Sequence, residues 1–148
     1  MRILIDTNVL VRLAHLGDPD QPVADKALNS LRTQQHALRL VPQVIYEFWS
    51  VASRPVDRNG LDLPVGSINT LVNEWKVLFP VLRDERAILE IWQHLALQYR
   101  VRGKQAHDAR LVAAMQRHGL THILTFNPAD FQRYADITIL DPQNVAAS

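Results

Sequence analysis

Short apolar runs alternate with longer amphipathic stretches along this chain. Ile3-Leu4-Ile5 is a β-prone run, ended by Asp6-Thr7-Asn8 and followed by Val9–Ala14, which reads as a helix start. Gly17–Pro22 holds two prolines and two aspartates and is read as a loop. Residues 23–35 place Val23, Ala27 and Leu31 at i, i+4, i+8, with Ala24 and Leu28 beside them, the stripe of a surface helix. Leu38–Pro42 predicts a second strand. Gln43 to about Ser53 predicts a helix with Val44, Ile45, Phe48, Trp49, Val51 and Ala52 on its apolar side.

Arg54-Pro55 closes that helix, and a Pro- and Gly-bearing loop runs to about Gly66. Ser67 can cap the next helix, through Phe79, and Pro80 stops it. Val81-Leu82 is a weak strand, and Asp84–Tyr99 a long helix. A basic loop, Arg100-Val101-Arg102-Gly103-Lys104, precedes a helix from about Ala106 to His118, with Gly119 as C-cap. His122–Phe126 reads as a buried strand, Pro128–Tyr134 as a turn or short helix, and Ile137–Leu140 as the last strand. Strands this short and apolar, alternating with helices, imply an α/β fold with a parallel sheet covered on both faces. No repeat or linker divides residues 1–148, so a single domain is expected.

Composition narrows the chemistry. The 148 residues and 47% apolar content suit one domain with an ordinary core. The absence of cysteine excludes disulfides, thiol catalysis and Cys-ligated metals. Lys+Arg 16 against Asp+Glu 15 leaves a net charge of +1, so nucleic acid would have to meet a local basic patch. The apolar N-terminal run breaks at Asp6, far short of the ~7–15 residues of a signal-peptide core. No stretch approaches the ~20 apolar residues of a membrane helix, so a cytoplasmic protein is expected.

Four acids sit where α/β folds place their sites. Asp6 directly ends the first strand, at the carboxyl rim where ligands bind, though an N-cap role would explain it equally well. Asp108 lies at a helix start, where it also complements the helix dipole. Glu47 is the lone charge in Val41–Ser53. Gln43, Glu47, Ser50 and Arg54 could also form a plain wet face around it. Asn127-Pro128-Ala129-Asp130 has the form of a capped helix start, with Asn127 as the cap.

Taken together these segments resemble the PIN-domain nucleases. Ile3-Leu4-Ile5-Asp6-Thr7-Asn8-Val9-Leu10 is similar to the family's first motif, and Tyr46-Glu47-Phe48 to its second. His107-Asp108-Ala109-Arg110-Leu111-Val112-Ala113-Ala114 is similar to the third and Ile123–Phe131 to the fourth. Ile139-Leu140-Asp141-Pro142 is similar to the closing strand. Within the family the resemblance is greatest to the VapC-like toxins of toxin–antitoxin modules. It implies a three-layer α/β/α domain around a central parallel sheet. It further implies an acidic pocket holding Mg²⁺ or Mn²⁺ for RNA hydrolysis, a homodimer, and an antitoxin protein as partner. Asp6, Glu47, Asp108 and Asp130 are the implied catalytic and metal-binding acids. Asn127 is the other candidate for the fourth position. Thr7, Asn8, Thr125 and Asn127 are the implied supporting polar groups.

The chemistry of the residues agrees. Clustered carboxylates repel one another and raise each other's pKa, and a hard divalent cation relieves that repulsion. An oxygen-only ligand set suits Mg²⁺ or Mn²⁺ rather than zinc. Arg100, Arg102 and Lys104 could contact RNA phosphates or simply be solvated. His107 fits a helix-start or packing role. Trp49, Trp75 and Trp92 fit the core or a dimer interface, and Asp141 a turn. A phosphoacceptor receiver domain would need paired acids at the first strand and a late lysine, and no lysine follows Lys104. A haloacid-type phosphatase would need Asp-x-Asp, and position 8 is Asn. A module of this fold that binds RNA or a protein without catalysis is the remaining alternative.

Overall fold

The computed structural model describes all residues, Met1–Ser148. Its elements in chain order are β1 (Arg2–Ile5), α1 (Thr7–Ala14), α2 (Gln21–Thr33), β2 (Ala37–Arg39) and α3 (Pro42–Ser53). Then follow α4 (Val65–Leu78), α5 (Arg86–Gln98), α6 (Gln105–His118), β3 (His122–Leu124), β4 (Thr138–Leu140) and α7 (Pro142–Ala147). Single 3₁₀ turns occupy Val56–Arg58 and Pro128–Asp130. No helix is long and apolar enough to cross a membrane.

The sheet has four strands in the order β2-β1-β3-β4, all parallel. Ile3 faces Leu38 on one side and His122 on the other, while Ile123 pairs with Ile139. Ile3, Leu4 and Ile5 are all fully buried, so β1 has no wet face. That is the pattern of a strand with helices over both sides of its sheet. Helices α2 and α3 both pack on α1, α4 on α3, α7 on α2, and α6 on α5. The chain leaves β1 toward β2 and later returns to the opposite edge of β1 as β3. The strand order therefore reverses between β1 and β3, and the crevice beyond their carboxyl ends is where such sheets bind ligands.

Helix α3 is held by Val44, Phe48 and Ala52, one stripe at i, i+4, i+8, all fully buried. Phe48 meets Trp75 of α4 edge-on, with centroids 4.7 Å apart. Such a pair adds about 0.5–1.5 kcal/mol beyond area burial, and it fixes the helix that carries Glu47. Trp75 is accordingly core. Trp92 is half-buried, and its indole N–H donates to the Ala106 carbonyl at 2.8 Å, tying α5 to the start of α6.

Several boundaries differ from expectation for local reasons. Helix α4 begins at Val65 behind Pro64, so Ser67 lies inside its first turn and caps nothing. Helix α5 begins at Arg86, leaving Asp84 and Glu85 outside it to pair with Arg110 and Arg117 of α6. Asp141 is the N-cap of α7, accepting from the Gln143 N–H at 2.9 Å, rather than a simple turn residue. Val81 joins the sheet only through one bridge to Leu40.

Helices α5 and α6 end alike. After α6 the Gly119 and Leu120 N–H groups donate to Gln116 and Met115, and Gly119 has φ 66°. After α5 the Arg100 and Val101 N–H groups donate to Leu97 and Ala96 in the same arrangement, with Arg100 at φ 52°. Gly60, by contrast, leaves no room for a side chain. A Cβ there would collide with the Arg54 carbonyl, and this close passage lets the loop carry Asn59 back toward α1.

Candidate active site

Asp6 is placed by the end of β1. Its N–H still belongs to the sheet, donating to the Leu124 carbonyl at 3.0 Å, while its carboxylate caps α1 through the Thr7 N–H at 2.7 Å. The capping and site readings of Asp6 thus hold together. Its Oδ2 accepts from the Thr125 hydroxyl at 2.8 Å and from Asn8 Nδ2 at 3.3 Å.

Thr125 is fully buried and uses every valence of its hydroxyl. It donates to Asp6 and accepts from Asn8 Nδ2 and the Asn127 N–H, each at 3.0 Å. Asn8 completes the ring by accepting from the Phe126 N–H at 3.1 Å. The β1 and β3 ends are locked together, and three of the roughly four lone-pair sites of the Asp6 carboxylate are occupied. The remaining site lies on Oδ1.

Asp6, Asp108 and Asp130 line one open cleft of about 320 Å³, together with Thr7, Asn8, Val11, Arg12, Val51 and Asn59. Glu47 stands behind this lining on α3, and its charge bears on both Asp6 and Asp108. It is half-buried, with Gln43 only 6% exposed, so the Gln43–Glu47 part of this side of α3 is not a wet face, while Ser50 and Arg54 further along it are exposed. Burial, then the charges of Glu47 and Asp108, push the Asp6 carboxyl up to about 7 against its hydrogen bonds. Burial, then the charges of Asp130 and Glu47, push Asp108 up to about 6. Such a cluster favours either protons or a cation.

The residues fit a hard divalent cation held loosely. The available donors in the cleft are all oxygen, and Asp6 Oδ1 retains capacity. The Thr7 hydroxyl is buried without any hydrogen-bond partner. No three acids lie close enough to form a closed cation cage by themselves. Mg²⁺ does not require one, since it keeps several waters and binds through one or two carboxylates.

Asn127 does not cap the following turn. Its Nδ2 donates to Asp130 Oδ2 at 2.7 Å, steadying that carboxylate at the cleft edge. Arg100, Arg102 and Lys104 are exposed on the loop before α6 and do not line the cleft. The cationic side chain that does is Arg12, which lies over the Phe126 ring at 5.7 Å and pairs with Asp20 at 3.6 Å. Arg12 and Asn59 are additions to the expected set. Arg12 follows Asp6 by about one and two-thirds helical turns, a spacing that does not put the two on one helix face. Nothing local marks Asn59, which arrives from a distant loop.

No curated sequence relative matches the chain. Solved structures resemble it over nearly its whole length. VapBC2 from Rickettsia felis, bound to a promoter DNA fragment, has TM-score 0.71 and 13% identity, covering 95% of this chain and 98% of that one. FitAcB from Neisseria gonorrhoeae has TM-score 0.66 and 20% identity, covering 95% and 97%. VapC20 of Mycobacterium tuberculosis, a toxin that cleaves the sarcin–ricin loop, has TM-score 0.61 and 17% identity, covering 82% and 86%. At these identities the likeness is one of fold. The PIN domain family profile matches residues 3–137, so this chain belongs to the PIN domain family.

Proposed function

We propose that this protein is a divalent-metal-dependent endoribonuclease, the toxin of a toxin–antitoxin module. The carrying observation is the cleft at the β1–β3 crevice, where Asp6, Asp108 and Asp130 meet with Glu47 behind them. Asp6, Glu47, Asp108 and Asp130 are the proposed acids of the Mg²⁺ or Mn²⁺ site, one or two of them ligating directly and the others acting through its bound waters. A cation bound there supplies positive charge to the scissile phosphate and acidifies water. Thr125 and Asn8 hold the Asp6 carboxylate in one rotamer. Asn127 does the same for Asp130. The free Thr7 hydroxyl orients the attacking water. Water oxygen bonds to phosphorus as it gives up a proton, the bond from phosphorus to the ribose oxygen breaks, and the departing oxygen takes up a proton in exchange.

Arg12 in the cleft, with Arg100, Arg102 and Lys104 outside it, takes the phosphates of single-stranded RNA. A toxin–antitoxin complex from Klebsiella pneumoniae shares this fold, which supports an antitoxin partner here. Val77, Leu89 and Leu97 on α4 and α5 are exposed apolar side chains of the kind that a homodimer or antitoxin contact covers. A cytoplasmic location accords with RNA as substrate. The test is cleavage of total RNA by purified protein with Mg²⁺ or Mn²⁺, with EDTA and Asp6→Asn as controls. Loss of cleavage of roughly 10²-fold or more in both controls is expected. Undiminished cleavage by Asp6→Asn overturns the reading.

A further inference from the structure

Behind Glu47 lies a chain of polar contacts that the cleft itself does not require. Gln43 precedes Glu47 by four residues, one turn of α3, and is almost completely buried. Its Nε2 donates to Glu47 Oε1 at 2.9 Å and to the His107 carbonyl at 2.8 Å, immediately before Asp108. Its Oε1 accepts from Arg110 Nη1 at 2.9 Å. Arg110 in turn pairs through Nη2 with Asp84 at 3.3 Å.

We infer that Gln43 and Arg110 are positioning residues that set the carboxylate of Glu47 for the divalent cation. The inference rests on the metal-dependent nuclease reading and adds two residues to it. A glutamine amide has a donor end and an acceptor end, and by itself could sit either way round. Arg110 only donates, so it fixes Oε1 toward itself and turns Nε2 toward Glu47 and the His107 carbonyl. Both hydrogens of that NH₂ group then have acceptors. Because Gln43 is neutral, it orients Glu47 without cancelling the negative charge that a cation needs. The Arg110 charge is kept one side chain away, with Asp84 opposite it. The His107 contact also couples the placement of Glu47 to the helix start that carries Asp108. Outer contacts of this kind typically change metal affinity 10–100-fold when removed.

The test is Mn²⁺ binding by the full-length protein, measured by titration calorimetry without RNA. Gln43→Leu should weaken binding about tenfold, and Arg110→Met by a smaller factor, as it leaves Gln43 free to turn. In a Glu47→Gln background neither substitution should weaken binding further. Arg110 is partly exposed, so Arg110→Met keeps the test informative should Gln43→Leu unfold. Parent-like affinity in Arg110→Met and in any folded Gln43→Leu protein overturns the inference. So does an equal loss with and without Glu47, which would mark a general structural effect. If Mn²⁺ binds the parent but the variants do not differ, the nuclease reading stands without the relay. A parent that does not bind Mn²⁺ overturns both.

Discussion

The Thr125 hydroxyl donates to Asp6 Oδ2 at 2.8 Å across 119 residues of sequence. The two side chains stand at the ends of adjacent parallel strands. Thr125→Val keeps the shape but leaves Asn8 Nδ2 and the Asn127 N–H short of an acceptor. A loss of about 1–3 kcal/mol in unfolding free energy is expected. Apparent Mn²⁺ affinity should fall roughly 10-fold or more as Asp6 gains rotamer freedom. Urea denaturation and metal titration check the two effects separately.

The pH response of the metal-free protein has a definite sign. Burial and the neighbouring acids raise the Asp108 carboxyl from 3.8 unfolded to about 6 folded. Folding therefore favours the protonated form. The stability this contributes is complete below 3.8 and is lost as pH rises through about 6. Asp108 makes no side-chain hydrogen bond that Asn would spoil. Asp108→Asn should melt higher than the parent near pH ~8 without metal, and the difference should close near pH ~4. Scanning calorimetry in EDTA reads this directly, and an unchanged gap at the lower pH would remove Asp108 from the acid cluster.

Asn127 and Asp130 divide their work differently from a cap and its helix. Asn127 donates to Asp130 and makes no capping bond. Asn127→Ala should therefore change stability by less than ~0.5 kcal/mol, while weakening Mg²⁺ dependence of cleavage modestly. Asp130→Asn should raise the Mg²⁺ concentration for half-maximal rate more strongly. The reverse ranking would make Asn127 the fourth ligand.

RNA contact should be strongest where a cation lines the cleft. Arg12→Gln is expected to weaken binding of a single-stranded RNA more than Arg102→Gln does. Each should reduce the salt dependence of binding by about one unit of slope if it meets a phosphate. Fluorescence anisotropy over a series of salt concentrations gives both quantities.

The sheet and six of the helices were legible because each depends on short-range pattern, apolar runs and helical stripes. The four acids stand out only through the family resemblance of their segments, since each alone has an ordinary capping, dipole or wet-face explanation. Helix α7 was not, since residues 142–147 are too few to show periodicity and Asp141-Pro142 reads equally as a turn. Nothing in the sequence separates a buried Gln43 from a wet one, because an amide on a helix face is ordinarily wet. Its burial comes from Arg110 and His107, more than sixty residues away along the chain. Asn59 and Arg12 likewise reach the cleft through tertiary packing.

Strand β1 sits between β2 and β3, with residues 2–5 pairing to residues 37–39 and 122–124. Its first neighbour is made early in synthesis and its second only near the end. A nascent chain that has not yet extruded Thr125 lacks the hydroxyl that ties the Asp6 carboxylate to β3, and Asp108 and Asp130 have no rim on which to meet it. Closing so long a loop is slow compared with forming any of the helices. The acidic cleft is therefore among the last parts of the molecule to appear. A chain that stalls on the ribosome before Asp130, or loses its last twenty residues or so, is left without a complete cutting site.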